Sequence, residues 1–261
     1  MIELIDHMGN DQSVVNAARV SYGGGTRQVR DDKALINYLM ANGHMSPFEF
    51  VEFTFRVRAP IFVARQWFRH RTGNYAEVSG RYSVVEEEAY TPRAAEIRMG
   101  AVQQHNQKVD PLNLEREYKT AVKSSFESYR RLLAAGVVRE QARAVLPQGA
   151  MTRFYFKIDL RNLFNFLKQR LNRHAQLEIR MYAERIIELI TPIVPHSVEA
   201  WENFVFESVS LSGKEWGKLI DSFGKDALLD ALVGTEPSKS RTKWLEDRID
   251  RATAFRPIRG E

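Results

Sequence analysis

Residues 51–60 read VEFTFRVRAP, and in this stretch apolar side chains alternate with polar ones. A period of two is typical of a β-strand that buries one face and exposes the other. The same alternation recurs at residues 151–158, which include three aromatic residues, and a short apolar run at residues 2–5 predicts another strand. These segments predict the strands of a central sheet.

Long amphipathic helices are predicted around this sheet. Apolar residues recur at helical spacing in residues 113–135, 160–171 and 175–190, and Gly136 suits the end of the first helix. Because strands and long helices do not alternate regularly, we expect an α+β fold with a mostly antiparallel central sheet flanked by long helices.

A further helix is predicted directly after the 51–60 strand. Pro60 suits its first turn, and the helix would carry Arg65 and Arg69 one turn apart. The Thr-Gly-Asn sequence at residues 72–74 would end the helix, and residues 77–81 would form a loop.

The chain has 261 residues, enough to bury a full core in a single domain. We expect one catalytic domain at residues 1–207 and a charged, helical C-terminal extension at residues 208–261. From Gly234 onward apolar residues are few, which predicts a mobile or loosely docked tail.

Composition excludes several classes of chemistry. The chain has no cysteine, which excludes disulfides, thiolate zinc sites, cysteine-ligated iron–sulfur clusters and a cysteine nucleophile. Six scattered histidines show no metal-ligand spacing, so we expect no metal site. No long apolar run and no secretory signal is apparent, so we expect a cytoplasmic protein without membrane contact. The net charge of +5 admits phosphorylated ligands or nucleic acid as partners, and composition alone does not choose between them.

The most basic motif lies at residues 65–83, RQWFRHRTGNYAEVSGRYS, with four arginines, one histidine and a single acid. Guanidinium groups hold phosphate through paired charge-assisted hydrogen bonds, and several of them repel each other unless an anion lies among them. A single surface arginine is usually only solvated. Four arginines with one acid therefore favour a phosphate site.

Ser79 lies in the same motif and raises the question of a serine nucleophile. No histidine or lysine base is placed beside it by an evident motif. We therefore expect its hydroxyl and the neighbouring backbone N–H groups to bind phosphate oxygens.

Arg69-His70-Arg71, followed by Ser79-Gly80-Arg81, resembles the signature of flavin-dependent thymidylate synthases. The segments GHMSPFE at residues 43–49, ARAVLP at residues 142–147 and NFLKQRLNRHAQ at residues 165–176 follow in that family's order. The resemblance extends over most of the chain.

This resemblance implies reductive methylation of dUMP to dTMP, with methylene-tetrahydrofolate as carbon donor, FAD as hydride carrier and NADPH as reductant. It also implies a homotetramer with active sites shared between subunits, which agrees with the absence of a dinucleotide-binding glycine motif. The missing cysteine fits, because the better-known thymidylate synthases activate uracil with a thiolate.

The resemblance also assigns residues to the site. The cofactor-binding set that it implies is Ser46, Arg69, His70, Arg71, Glu77, Asp159, Leu160, Arg161 and Asn165. The implied substrate-binding set is Gln66, Trp67, Phe68, Arg69, Glu77, Val78, Ser79, Gly80, Arg81, Arg143 and Arg170. Structural interpretations are equally natural for some of these residues, with Ser46 in a capping turn and Arg161 and Asn165 as solvated neighbours on one helical face.

Arg170 is the expected catalytic residue. It belongs to a predicted i, i+4 stripe with Phe166, His174 and Glu178, which would leave Arg170 only partly hydrated. A structural ion pair near Glu178 is the alternative. The resemblance implies that Arg170 binds the uracil ring and favours its ionised form.

Asp159 departs from the resembled pattern, in which some relatives would have asparagine. A carboxylate cannot donate the hydrogen bond that an amide would give to a flavin. If Asp159 instead caps the following helix, the change is harmless.

Two alternatives remain open from the sequence. The first is a related flavin- and folate-dependent enzyme that hydroxymethylates a pyrimidine nucleotide, which product analysis would separate. The second, less favoured, is a basic nucleic-acid-binding protein that stacks bases on Trp67, Phe68 and Tyr75. Such a protein would be colourless and would lose affinity steeply with salt.

Overall fold

Four strands form one antiparallel sheet in the order β1-β2-β4-β3. In the computed structural model the strands are β1 (Ile2–Met8), β2 (Glu52–Pro60), β3 (Asn74–Glu77) and β4 (Met151–Asp159). β2 and β4, the two segments with the clearest alternation, pair along their whole length. With the helices around this sheet, the fold is α+β, and this part of the prediction is confirmed.

The structure describes residues 1–20, 32–97, 110–233 and 246. The chain divides into two units, Met1–Phe206 and Glu207–Glu261. The predicted tail from Gly234 lies outside the described residues except for residue 246. None of the described helices is long and apolar enough to cross a membrane.

The helices of the first unit are α1 (Asp11–Val20), α2 (Asp32–Ala41), α3 (Ile61–Trp67), α4 (Pro111–Ala134), α5 (Arg139–Ala142), α6 (Leu160–Arg170), α7 (Leu177–Ile190) and α8 (Pro195–Trp201). Short 3-10 helices at Ser46–Phe50, Ala94–Glu96 and Arg143–Val145 and a π-helix at Glu202–Phe206 complete it. The second unit contains α9 (Gly213–Phe223) and α10 (Lys225–Val233), with a capping box of Ser212 and Glu215 at the start of α9.

The core lies between one face of the sheet and helices α3, α6 and α7. Phe53, Phe55 and Phe156 point to this face and are fully buried, because the alternation of each strand sends its apolar side chains to one side. Trp67 at the end of α3 is also fully buried, and its indole ring meets the ring of Phe156 edge-on at 5.5 Å between centroids. The last residue of α3 is therefore part of the core, and the exposed arginines of the motif follow directly after it.

The motif itself folds differently from the sequence-based expectation. α3 ends at Trp67, so Arg69 does not lie on the helix with Arg65, and residues 74–77 form a strand, β3, that was not predicted. The loop expected at residues 77–81 is present from Val78 onward. Phe68 leaves the helix because its ring packs against the rings of Tyr75 and Phe154, each at 4.9 Å between centroids. This packing turns the chain back onto the sheet.

Gly73 permits this return. A Cβ atom at residue 73 would lie 2.4 Å from Cε2 of Phe156, so only glycine fits without displacing the buried ring. The close approach of Gly73 to Phe156 therefore allows β3 to lie against β4. The sequence of residues 74–77 does not indicate this contact.

The predicted stripe through Arg170 is interrupted. α6 ends at Arg170, and α7 begins only at Leu177, so His174 and Glu178 do not continue the helical face of Phe166. Glu178 instead accepts a hydrogen bond from the hydroxyl of Tyr90 at 3.1 Å. No described acid forms an ion pair with Arg170.

Asp11, the first residue of α1, forms hydrogen bonds with the first turn of α8. Its carboxylate accepts hydrogen bonds from the backbone N–H of His196 (2.7 Å), the backbone N–H of Ser197 (3.1 Å) and the hydroxyl of Ser197 (2.6 Å). Ser197 is fully buried, so these donors would have no replacement from solvent.

Asp11→Ala is expected to lower the free energy of unfolding by about 2–4 kcal/mol, since it leaves buried donors unpaired. The matched control is Asp110→Ala, which removes an exposed cap that accepts from the N–H of Leu112 at 3.0 Å, and should cost about 1 kcal/mol. Urea denaturation measures both values. Equal losses in the two variants would contradict the structural role given to Asp11.

Candidate active site

The arginine turn, defined as residues 68–73, connects α3 to β3. The side chains of Arg65, Arg69 and Arg71 are exposed, and none forms an ion pair with a described carboxylate. Other exposed arginines do have acids: Arg161, for example, pairs with Glu49. The turn therefore presents positive charge that the described part of the chain leaves unneutralised, as an anion site requires.

His70 turns inward, unlike its neighbours. Its imidazole is only 9% exposed, and Nε2 lies 2.8 Å from Thr72 Oγ1 and 3.2 Å from the carbonyl oxygen of Asn162 in α6. Burial lowers the pKa of the imidazole, and the nearby Arg170 charge adds to this effect. A neutral His70 thus ties the arginine turn to α6, and its predicted contact with the cofactor stays a prediction.

Arg170 lies beside the arginine turn at the end of α6. Its Nη2 donates to the backbone oxygen of Gln66 at 3.3 Å, and its guanidinium carbon lies 5.8 Å from the ring centre of Phe166. Burial lowers the pKa of the guanidinium, which remains charged at any physiological pH.

Two polar atoms at this position have no hydrogen-bond partner among the described residues. They are Nε of Arg170 and Oε1 of Gln66, both buried. Buried polar groups in native proteins are normally satisfied, so a donor and an acceptor without partners on two residues in contact are candidate contacts for a ligand that has both functions. A pyrimidine ring edge has both functions.

The second part of the predicted site is a cavity of about 430 Å³, here called the Ser79 cavity. Among its lining residues are Glu77, Val78, Ser79, Gly80 and Arg143. The structure thus brings together five of the predicted substrate-binding residues. The other six, which do not line the Ser79 cavity, are Gln66, Trp67, Phe68, Arg69, Arg81 and Arg170.

Polar contacts order the wall of the Ser79 cavity. Thr152 donates its hydroxyl proton to Oε1 of Glu77 at 2.6 Å, and the hydroxyl of Ser79 accepts from the N–H of Arg81 at 3.3 Å. Nε of Arg81 lies 3.2 Å from Oε2 of Glu140, and both side chains are half-exposed. Because an exposed ion pair contributes little to stability, Arg81 can release Glu140 and bind a more highly charged anion while the loop stays folded.

The third part surrounds Ser46 and is a cavity of about 460 Å³, here called the Ser46 cavity. Its lining includes His44, Ser46 and Arg161. Ser46 is exposed and does not cap the 3-10 helix that begins there, whose N-cap position is Met45 without a side-chain hydrogen bond. The capping interpretation of Ser46 is therefore wrong, and its hydroxyl is available to a ligand.

Asp159 does cap α6. Its Oδ1 accepts from the backbone N–H of Asn162 at 2.9 Å and its Oδ2 from the side-chain amide of the same residue at 2.7 Å. The exchange of an amide for a carboxylate is thus accommodated by the helix terminus.

Two residues of the predicted sets face the core. Trp67 and Leu160 are both 0% exposed, so their side chains support the site from within rather than line it. Asn165, one turn beyond Arg161 on α6, is exposed. Among the described residues there is no cluster of three or more metal-ligating side chains.

Sequence reasoning missed three residues of these surfaces. Thr152 occupies a buried position of β4, where the alternation predicts an apolar residue. A hydroxyl at such a position could have indicated a polar contact. Glu49 lay within a recognised motif but was not assigned, and it pairs with Arg161. Glu140, beside Arg81, carried no signal, since an acid on a short helix is usually solvated.

Known proteins are similar to this chain over most of its length. Residues 3–196 match the family model of the thymidylate synthase complementing proteins. A flavin-dependent thymidylate synthase of Thermus thermophilus is 48% identical over 252 residues, covering 95% of this chain and 92% of its own length. That of Treponema pallidum is 43% identical over 250 residues, covering 93% and 81%.

A solved structure is also similar. The UMP/dUMP methylase PolB from Streptomyces cacaoi, bound to 5-bromo-dUMP, superposes with a TM-score of 0.71 at 36% identity, covering 78% of this chain and 95% of its own. Family model, sequence identity and fold agree over most of the chain. The chain therefore belongs to the family of flavin-dependent thymidylate synthases.

Proposed function

We propose that the protein methylates dUMP to dTMP with methylene-tetrahydrofolate as carbon donor, FAD as hydride carrier and NADPH as reductant. One observation of this structure carries the proposal: Arg170 and Gln66, which are in contact through the Gln66 backbone oxygen, have a buried donor and a buried acceptor without partners, next to an arginine turn that no described acid neutralises. A pyrimidine nucleotide satisfies the first feature through its ring and the second through its phosphate.

The FAD site is proposed from charge and exposure. Arg69 and Arg71 are exposed cations suited to a pyrophosphate, and Ser46 with Arg161 provides a second polar surface on the Ser46 cavity. The remaining residues proposed for the cofactor are His70, Glu77, Asp159, Leu160 and Asn165. Of these, His70, Asp159 and Leu160 act from the interior, by holding the turn and the start of α6.

The nucleotide phosphate is proposed to bind between Arg69 of the arginine turn and the Ser79 cavity of another subunit. There Arg143 and the hydroxyl of Ser79 line the wall, and Arg81 exchanges Glu140 for the phosphate. Gln66 and Arg170 do not line this cavity, and the family resemblance implies sites shared between subunits, so the proposed site combines the cavity of one subunit with the Arg170 side of another. We therefore propose a homotetramer with shared sites, built from the 1–207 catalytic domain and acting in the cytoplasm.

The protein's own contribution to the chemistry is electrostatic. The chain has no cysteine, so no thiolate can add to the uracil. Arg170 instead places a fixed positive charge, partly shielded from water, where negative charge develops on the ring. Bound FAD would supply the hydride for reduction of the transferred carbon.

Binding of FAD and nucleotide gives the direct test. We expect micromolar protein to quench FAD fluorescence and to turn yellow, because unpaired arginines attract the pyrophosphate. With dUMP, NADPH and methylene-tetrahydrofolate added, mass spectrometry should detect dTMP. A reconstituted sample that neither quenches flavin nor forms product would remove the proposal.

The same assay addresses the substrate and the product. The similar PolB structure is described as a UMP/dUMP methylase, so UMP is assayed in parallel with dUMP. A hydroxymethylated product would support the related nucleotide-modifying reaction. A colourless protein that binds single-stranded nucleic acid with steep salt dependence would support the third candidate.

A further inference from the structure

Tyr75 projects from β3 into the base of the arginine turn. Its hydroxyl donates to the carbonyl oxygen of His70 at 2.6 Å and lies 3.4 Å from that of Trp67. The N–H of His70 donates to the same Trp67 oxygen at 2.9 Å. The phenol therefore contacts the backbone both immediately before the turn and in its middle.

The ring of Tyr75 is fixed independently of its hydroxyl. It stacks on Phe156 at 5.3 Å with an angle of 11° between the rings, and it meets the ring of Phe68 edge-on at 4.9 Å. Burial raises the pKa of the phenol to about 12, so the group stays a protonated donor at neutral pH. Loss of the hydroxyl alone would leave the ring in place and the His70 oxygen without this donor.

No described residue forms a hydrogen bond or ion pair with the side chains of the arginines beside this bond. Arg69 and Arg71 flank His70, their side chains are exposed, and no described acid holds either of them. Their direction is thus set by the backbone of the turn. That backbone is held by the inward contacts of His70 and by the hydroxyl of Tyr75.

We infer that Tyr75 is a positioning residue whose hydroxyl aims Arg69 and Arg71 at the bound anions and thereby sets the affinity for FAD and nucleotide. The inference rests on the proposed function of the arginine turn. It assigns no chemical step to Tyr75, which acts only through the backbone that it holds.

The test compares Tyr75→Phe with Tyr182→Phe. Tyr182 is a matched control because its buried hydroxyl also donates to a backbone oxygen, that of Arg58 at 2.8 Å, burial also raises its pKa to about 12, and its ring also contacts Trp67. Its carbonyl acceptor lies in β2 rather than in the arginine turn. The two variants therefore lose similar stability by similar chemistry.

We expect Tyr75→Phe to raise the Kd for FAD, measured by fluorescence quenching, and the KM for dUMP about fivefold, while kcat stays within about twofold. Tyr182→Phe should leave both constants at the wild-type values although its melting temperature falls by a similar amount. Unchanged constants in Tyr75→Phe, or equal increases in both variants, would overturn the positioning role. Wild-type protein that binds neither ligand would instead overturn the proposed function, and the positioning role with it.

Discussion

Arg170→Lys should turn over at least about a hundredfold more slowly than the wild type, and Arg170→Ala at least as slowly, because a preorganised donor is removed from the reacting ring. Lysine retains the charge but lacks the planar fork that can address two acceptors at once. It also lacks the Nε atom that is buried without a partner in this structure. FAD binding should stay near the wild-type value, since Arg69 and Arg71 are untouched.

A single-turnover experiment isolates this effect. Enzyme with reduced FAD is mixed with dUMP and methylene-tetrahydrofolate, and flavin oxidation is followed by absorbance. Arg173→Lys is the matched control, since Arg173 is an exposed arginine just beyond the end of α6. Near-normal turnover in Arg170→Lys would show that the planar fork is unnecessary, and near-normal turnover in Arg170→Ala would move the activating role to another residue.

The fold was largely predictable because its longest strands carry strong local patterns. β2 and β4 alternate throughout, and their burial follows that alternation residue by residue. β3 was not predictable in this way, because its four residues are ordered by pairing with β4 and by the approach of Gly73 to Phe156. Both are tertiary contacts, which a local pattern does not contain.

The end of α3 was mispredicted for a related reason. The spacing of Arg65 and Arg69 suits one helical face, and no proline or glycine separates them. What ends the helix is Phe68, whose ring packs against Tyr75 and Phe154. The gain from burying an aromatic ring exceeds the small preference for one further helical turn.

The sequence predicted the charged residues of the candidate site, but it did not predict the contacts that hold them in place. The unmatched arginines of residues 65–71 were visible in the sequence, and the structure leaves them without acids among the described residues. The supporting contact of Thr152 with Glu77 joins residues that are distant in sequence, and the ring of Tyr75 packs on Phe156 of the neighbouring strand. Such contacts depend on register, which the sequence alone does not specify.

Subunit complementation should give the other large effect. If the Ser79 cavity and the Arg170 side of each site come from different subunits, a variant defective in one half can repair a variant defective in the other. We expect Arg81→Ala/Arg143→Ala and Arg170→Ala each to retain about 1% of wild-type activity or less, since each loses charge-assisted contacts to the nucleotide. Tetramers that contain both chains should recover about a quarter of wild-type activity, because random assembly leaves one site in four intact.

Co-expression with two different affinity tags and purification on both tags selects oligomers that contain both chains. The control pairs Arg170→Ala with Gln66→Ala, two substitutions on the same half of the proposed site, where Nη2 of Arg170 donates to the Gln66 backbone oxygen at 3.3 Å. Every mixed site then has a defective half, so no recovery is expected beyond the activity of the Gln66→Ala chain alone. Recovery in the opposite-half pair and not in this control requires that the two halves come from different chains, whereas doubly tagged tetramers without any recovery would mean that each chain builds its site alone.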